Sequence, residues 1–252
     1  MLALIAYLLT LISVGIFGFQ GFKLFKIISA GQSDPTRFDN KGKRLKNMFV
    51  EVFSHTKMLN FTATGIAHWF VMIGFFALLG TLVTAYGQLI NPAWALPIIG
   101  HFVGYELFAE VIAALTGIGI VTLIAIRQVT RVVKSGRSSR FYGSGTWKAY
   151  YVEVTILAIV FCVVALRGLE GALLNKSGWN WHYAISYPAV LFFSKYSATQ
   201  IESLIQVIAF TKIVVSMVWF IVVGLNLNMG IAWHRFLAFF NIYFKKYPGK
   251  EN

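Results

Sequence analysis

Charge is scarce in this 252-residue chain, and negative charge scarcest: there are 22 Lys and Arg but only 9 Asp and Glu, 12% charged residues in all. A soluble domain carries about 25%. That deficit, beside 58% hydrophobic residues, excludes an ordinary soluble domain and predicts an integral membrane protein. Cysteine is nearly absent. Cys162 alone can form neither an internal disulfide nor a thiolate-held iron-sulfur cluster, and its apolar surroundings mark it as a small core residue. No internal repeat and no low-complexity tract is visible. The net charge of +13 suggests nucleic acid at first sight, but a chain apolar all round offers no soluble basic face to a duplex, so no nucleic-acid partner is expected.

What the chain does have is long apolar runs. Crossing a hydrocarbon core of roughly 30 Å takes about 20 apolar residues. Five segments qualify, approximately 2–22, 61–87, 98–126, 149–169 and 203–233, and predict an all-α, five-helix transmembrane bundle forming a single domain over 1–252. The first segment lacks a basic flank and a small-residue cleavage site and is too long for a signal peptide, so it is expected to stay as a span.

Lys and Arg divide unequally between the connections. Lys23, Lys26, Arg37, Lys41, Lys43, Arg44, Lys46 and Lys57 lie in the first; Arg127, Arg131, Lys134, Arg137, Arg140 and Lys148 in the third; Arg235, Lys245, Lys246 and Lys250 in the tail. The opposite side holds only Arg167, Lys176 and Lys195. The positive-inside rule then puts the N-terminus outside and the C-terminus in the cytoplasm, as in a multi-pass protein of the inner (plasma) membrane. Within the first connection, about 44–57, Leu45, Met48, Phe49, Val52 and Phe53 follow helical spacing, which predicts an amphipathic helix on the membrane surface. The stretch 179–193 is aromatic and nearly uncharged, as an outer interfacial cap would be; Tyr142, Trp147, Tyr150 and Tyr151 mark the cytoplasmic boundary of the fourth span.

Two of the five histidines stand out. His68, about eight residues into the second span, lies roughly 12 Å inside the cytoplasmic edge, and His234, eleven residues before Lys245, roughly 16 Å from that marker. Neutral imidazoles at matching depth on facing helices are what a bis-histidine haem needs. Gly65, Ala67, Gly74, Gly230 and Ala232 would let a porphyrin approach the backbone, and Arg235 and Lys57 would pair with propionates. The alternative is two unrelated polar residues satisfied within helix interfaces. His55, thirteen residues before His68, would point about 220° away on a continuous helix and belongs to the surface stretch. His101 and His182, on the outer side, are candidates for a second haem or a quinone pocket.

Glu106 and Glu110 lie one turn apart in the third span and Lys212 lies in the fifth; intramembrane charges need pairing, neutralisation or water. The expectation is a Glu106/Lys212 contact beside an outer-leaflet quinone pocket, with Glu110 or His101 relaying protons; an ion pair that only sets helix register is the alternative.

The segment GIAHWFVMIGFF around His68 and the ending AWHRFLAFFNIYFKK resemble the second and fifth helices of the cytochrome b (gamma) subunit of respiratory nitrate reductase. They also resemble the related membrane domain fused to heterodisulfide-reductase-type iron-sulfur proteins. The last motif is most similar to actinobacterial membrane proteins of the electron-transfer flavoprotein dehydrogenase type. The resemblance spans the whole chain but is specific only at the two His segments. It implies one haem b on His68 and His234, because Leu78 and Ser216 stand where the two-haem subunit has its other ligands. It also implies a separate cytoplasmic iron-sulfur domain or subunit, an electron-transfer flavoprotein-like donor, and a lipid quinone such as menaquinone as substrate. The reading is therefore the membrane part of a quinone-linked oxidoreductase. A transporter or channel using Glu106, Glu110 and Lys212 is one rival, though no inverted repeat supports it. A passive membrane anchor is the other.

Overall fold

Lipid is the solvent for most of this fold, so backbone polar groups must be satisfied within each segment, and helices do this without partners. The computed structural model describes residues 1–130, 145–174 and 178–246, and among these no strand occurs. The α-helices in chain order are α1 (Leu2–Ser29), α2 (Lys41–Phe53), α3 (Thr62–Ala77), α4 (Leu79–Gln88), α5 (Val103–Thr130), α6 (Thr146–Leu173), α7 (Tyr187–Phe193), α8 (Ala198–Leu225) and α9 (Gly230–Tyr243). Arg131, Lys134, Arg137, Arg140, Tyr142, Lys176 and Lys250, used above for topology and the membrane boundary, lie outside the described residues.

Helices α1, α5, α6 and α8 each run 28 residues, about 42 Å at 1.5 Å per residue, enough to cross a bilayer with tilt. Taking α3 and α4 as one bent span makes five. Successive spans alternate direction, leaving a basic end (residues 30–61 and 226–246) and a cap end (residues 89–102 and 178–197). Helix α6 is the most enclosed, flanked by α5, α7 and α8; α1 leans mainly on α8, touches Tyr86 of α4 and Trp233 of α9, and shows most of its side chains to the surroundings. Most expected boundaries shift outward by a few residues, but the third span starts at Val103 rather than 98. The start of α8 at Ala198 is set by a capping box, Ser197 Oγ accepting from the Gln200 amide while Gln200 Oε1 accepts from the Ser197 amide.

Two breaks differ from the expected continuous spans. Helices α3 and α4 meet at 41° around Leu78. There Thr81 Oγ1 bonds back to the Leu78 carbonyl at 2.6 Å, and Lys212 Nζ, reaching across from α8, donates to the Thr81 carbonyl at 2.8 Å. Side chains thus enter the i to i−4 ladder, a recognised cause of kinks. The fifth span ends at Leu225 rather than 233. Asn226 bonds its own side chain to the Val222 carbonyl at 2.7 Å, and Trp233 Nε1 donates to the Val223 and Asn226 carbonyls at 3.2 and 3.3 Å, so the exposed helix end is capped by the next helix. His234 therefore sits on the separate helix α9.

Helix α9 is held mainly by α2, which covers Lys41–Phe53 of the first connection. Arg44, 1% exposed, donates to the Thr36, Tyr243 and Lys245 carbonyls at 2.8, 3.0 and 2.9 Å and to Asp39, while Glu51 pairs with Lys245. The turn before α2 is capped by Asp34, whose carboxyl is held down at about 2 by hydrogen bonds from Thr36 and Arg37. The opposite face of α2 leaves Leu45, Phe49 and Phe53 exposed at i, i+4, i+8, with Lys46 and Lys43 beside them, as for a helix lying in an interface.

Small residues let the helices meet. A Cβ on Gly74 would lie 1.9 Å from Thr116 Oγ1 of α5, and one on Gly119 would lie 2.7 Å from the Ala67 carbonyl of α3, whereas Gly15 on α1 has open space around it. Gly74→Ala should destabilise the protein by about 1–3 kcal/mol as overpacking does, while Gly15→Ala should be neutral or slightly stabilising. Thermal unfolding of the two variants in one detergent checks this, and equal midpoints would refute the α3–α5 contact.

Candidate functional site

At the basic end, the chain leaving α2 turns at His55, a non-glycine residue in the left-handed region (φ +48°) whose carbonyl accepts from the Met58 and Leu59 amides at 2.9 Å each. This turn presses on α3 at Gly65, where a Cβ would lie 2.3 Å from the Met58 carbonyl oxygen. Trp69 Nε1 donates to the Phe53 carbonyl at 2.7 Å and pins the same junction. As a result the His55 ring, 8% exposed, lies against His68 with Nε2 to Nδ1 at 2.9 Å. His68 in turn faces His234 of α9, ring centroids 5.9 Å apart and planes at 42°.

The hydrogen-bond partners assign the tautomers. His55 Nδ1 is 2.8 Å from the Val52 carbonyl, which can only accept, so His55 carries its proton there and its Nε2 is an acceptor. His68 must then donate from Nδ1, which puts its lone pair on Nε2. His234 Nδ1 lies 2.7 Å from the Ile231 carbonyl, putting that lone pair on Nε2 as well. Both imidazoles thus have the ligating nitrogen and the oriented Nδ1–H that metal-binding histidines use.

Next to them Arg235 is stacked between Phe75 and Trp219, 4.7 Å from each ring centroid; its Nε is buried with no hydrogen-bond partner, and no carboxylate pairs with it among the described residues. It lines an apolar cavity of about 90 Å³ that continues inward past Val71, Phe75, Leu78 and Ser216 to Lys212. The two imidazoles and the Arg235 guanidinium are the groups a haem with its propionates would need, but neither histidine lines this cavity. The cavity is smaller than a porphyrin, so seating one requires its lining side chains to part.

Other residues expected at this end do different work. Gly65, Ala67 and Gly74 are filled by protein, the first by the His55 turn and the other two by α5. Lys57 is 77% exposed and paired with Glu51 at 3.3 Å. His55, assigned above to the surface, is instead buried against His68. The 220° argument assumed one continuous helix, and the turn at residues 54–61 removes that premise.

At the cap end, Arg167 of α6 gathers the carboxylates. Its Nη1 donates to Glu106 and Glu170 at 3.1 and 2.6 Å, its Nε approaches Glu110 at 3.4 Å, and Nη2 donates to the His182 carbonyl. His182 Nδ1 meets the second Glu106 oxygen at 2.5 Å, and Gln88 Nε2 donates to Glu170 at 2.6 Å. Glu110 accepts from the Ile185 and Ser186 amides at 2.8 and 3.2 Å and from Ser186 Oγ at 2.5 Å, tying the aromatic cap to α5. Burial pushes the Tyr183 phenol up; the Arg167 guanidinium lies over its ring at 4.6 Å.

The expected Glu106/Lys212 contact does not form. Helix α5 begins at Val103, so Glu106 is in its first turn, where the helix dipole favours a carboxylate, whereas Lys212 is at mid-helix in α8 and bonds Thr81 Oγ1 at 2.7 Å besides the carbonyl. They share only a cavity of about 230 Å³, which runs from exposed His101 past Trp94, Tyr105, Gln88 and Glu170 to Lys212. The buried Tyr105 hydroxyl and Gln88 Oε1 at this cavity have no hydrogen-bond partner. Glu110 does not line it and is saturated by donors, which leaves no acceptor oxygen for the expected relay. Arg167, the centre of the cluster, was counted only as an outer-side charge, and Glu170 fell just past the expected end of the fourth span at 169. Two charges three residues apart in the apolar run LRGLEGALL were the available signal.

Comparison with protein-family models, curated proteins and solved structures returns no match for this chain.

Arg167→Leu should remove the shared cation of the buried Glu106 and Glu110 and the half-buried Glu170 and destabilise the protein by about 3–5 kcal/mol. Lys212→Met should cost under about 1.5 kcal/mol, since it conserves apolar volume and Thr81 Oγ1 keeps its bond to Leu78. Unfolding midpoints of both variants check the ranking, and the reverse order would refute Arg167 as the organising cation.

Proposed function

We propose that this chain is a haem b-bearing electron-transfer module of the inner (plasma) membrane, the membrane part of a quinone-linked oxidoreductase. The observation that carries the reading is the His68/His234 pair, whose rings lie 5.9 Å apart and whose Nδ1 partners put each lone pair on Nε2, beside Arg235 with its unsatisfied Nε. Bound there, a bis-imidazole haem supplies one-electron redox chemistry at a potential tuned by its surroundings. The chain's own part is to hold the two imidazoles in one tautomer, to offer Arg235 to an anionic substituent, and to keep water out with Phe75, Trp219 and Trp233.

The resemblance to the nitrate reductase gamma subunit supports the same reading in a second way. Leu78 and Ser216, aligned with the absent second pair of ligands, line one and the same cavity, as residues facing a common site would. On this reading the module carries one haem.

The positive-inside rule orients the basic end to the cytoplasm, where it would receive an iron-sulfur domain or subunit and an electron-transfer flavoprotein-like donor. The larger cavity at the cap end is our candidate for the quinone, which the family resemblance makes a lipid quinone of menaquinone's class. Tyr105 and Gln88 present unsatisfied polar atoms to its oxygens there, and His101, Glu106, Glu170 and Lys212 are the groups able to move protons. A charged cavity would also suit a transporter, but α3 and α4 are the only bent pair that reads as a broken span among the described residues, and no matching partner halves a permeation path.

A reduced-minus-oxidised absorbance spectrum of the purified protein should show a b-type signal, and His68→Ala and His234→Ala should each abolish it. A haem-free wild type, with a transporter or passive anchor then remaining, or survival of the signal in either variant, would overturn this assignment.

A further inference from the structure

We infer that His55 is a positioning residue for His68: its Nε2 accepts the His68 Nδ1 proton and thereby decides which nitrogen His68 turns toward α9. Three observations converge on it. The hydrogen bond is short, 2.9 Å, and His55 is itself fixed by the Val52 carbonyl at 2.8 Å, so the direction of donation along the chain of three groups is determined. His55 is 8% exposed, so water does not compete for its Nε2. Its backbone is in the left-handed region, at φ +48°, a conformation that costs free energy for a residue with a Cβ and persists only where the surroundings enforce it. The enforcing contacts are visible: two amides on the His55 carbonyl and the close approach of Met58 to Gly65, one helical turn before His68.

An acceptor at Nδ1–H does two things to an imidazole. It fixes ring orientation and tautomer, and it increases electron density on Nε2, which makes the ring a stronger ligand. The part of the inference that concerns haem rests on the function proposed above; the tautomer assignment does not.

Two substitutions separate the bond from the fold. Asn tolerates a left-handed backbone but is too short to reach His68, and Gln keeps an acceptor at about the distance of the imidazole Nε2. In the purified full-length protein, His55→Asn should weaken haem retention by about 10–100-fold and raise the midpoint potential, because a less electron-rich imidazole favours the ferric state less; His55→Gln should restore both. Wild-type retention and an unchanged midpoint in His55→Asn would overturn the inference while leaving the haem reading intact. If the wild type holds no haem, the haem reading fails alone, and the ¹⁵N spectrum of the histidine-labelled protein decides this one. His68 should then be protonated at Nδ1 in the wild type and shift to Nε2 in His55→Asn; Nε2 protonation already in the wild type would overturn the inference.

Discussion

A polar group buried within a bilayer has no water to turn to, and the whole arrangement of this chain follows from where each such group finds its partner. Arg167 is the clearest case. One guanidinium holds Glu106, Glu110 and Glu170 from two helices and the His182 carbonyl from the cap, and in doing so ties α5, α6 and the aromatic connection into one unit. Lys212, with no carboxylate in reach, satisfies itself on a backbone carbonyl and so bends α3 and α4 apart at Leu78. That bend separates the polar cavity at the cap end from the apolar one beneath Arg235, and Lys212 lines both.

The basic end obeys the same constraint with different chemistry. Arg44 spends its donors on carbonyls at the end of α9, and α9 in turn caps the end of α8 through Trp233. A short helix that could not cross a membrane is thereby fixed under the bundle with His234 facing His68. Of the six buried side-chain atoms without a hydrogen-bond partner among the described residues, those of Arg235, Tyr105 and Gln88 border a cavity, while those of Gln20, Glu51 and Glu153 do not.

Much of this was legible in the residues. The all-helical membrane class follows from composition, and the long apolar helices follow from run length. The pairing of His68 with His234 could be proposed because depth along two helices is a one-dimensional quantity, countable from charged markers. Glu106 with Lys212 failed by the same method: the third span was started five residues early, at His101's side of the true N-terminus, and an error of one or two turns is enough to exchange one partner for another. His55 was misplaced for a related reason, since angular reasoning holds only along an unbroken helix.

Hydrophobicity is a property each residue carries with it, so the all-helical membrane class and the apolar runs that form the long helices were determined by the sequence alone. Partnership is not carried by any one residue. Which carboxylates Arg167 collects, where Lys212 interrupts a helix, and that a strained turn delivers His55 to His68 were decided only when the tertiary structure set distances of about 3 Å between residues far apart in the chain, the range in which a hydrogen bond exists at all.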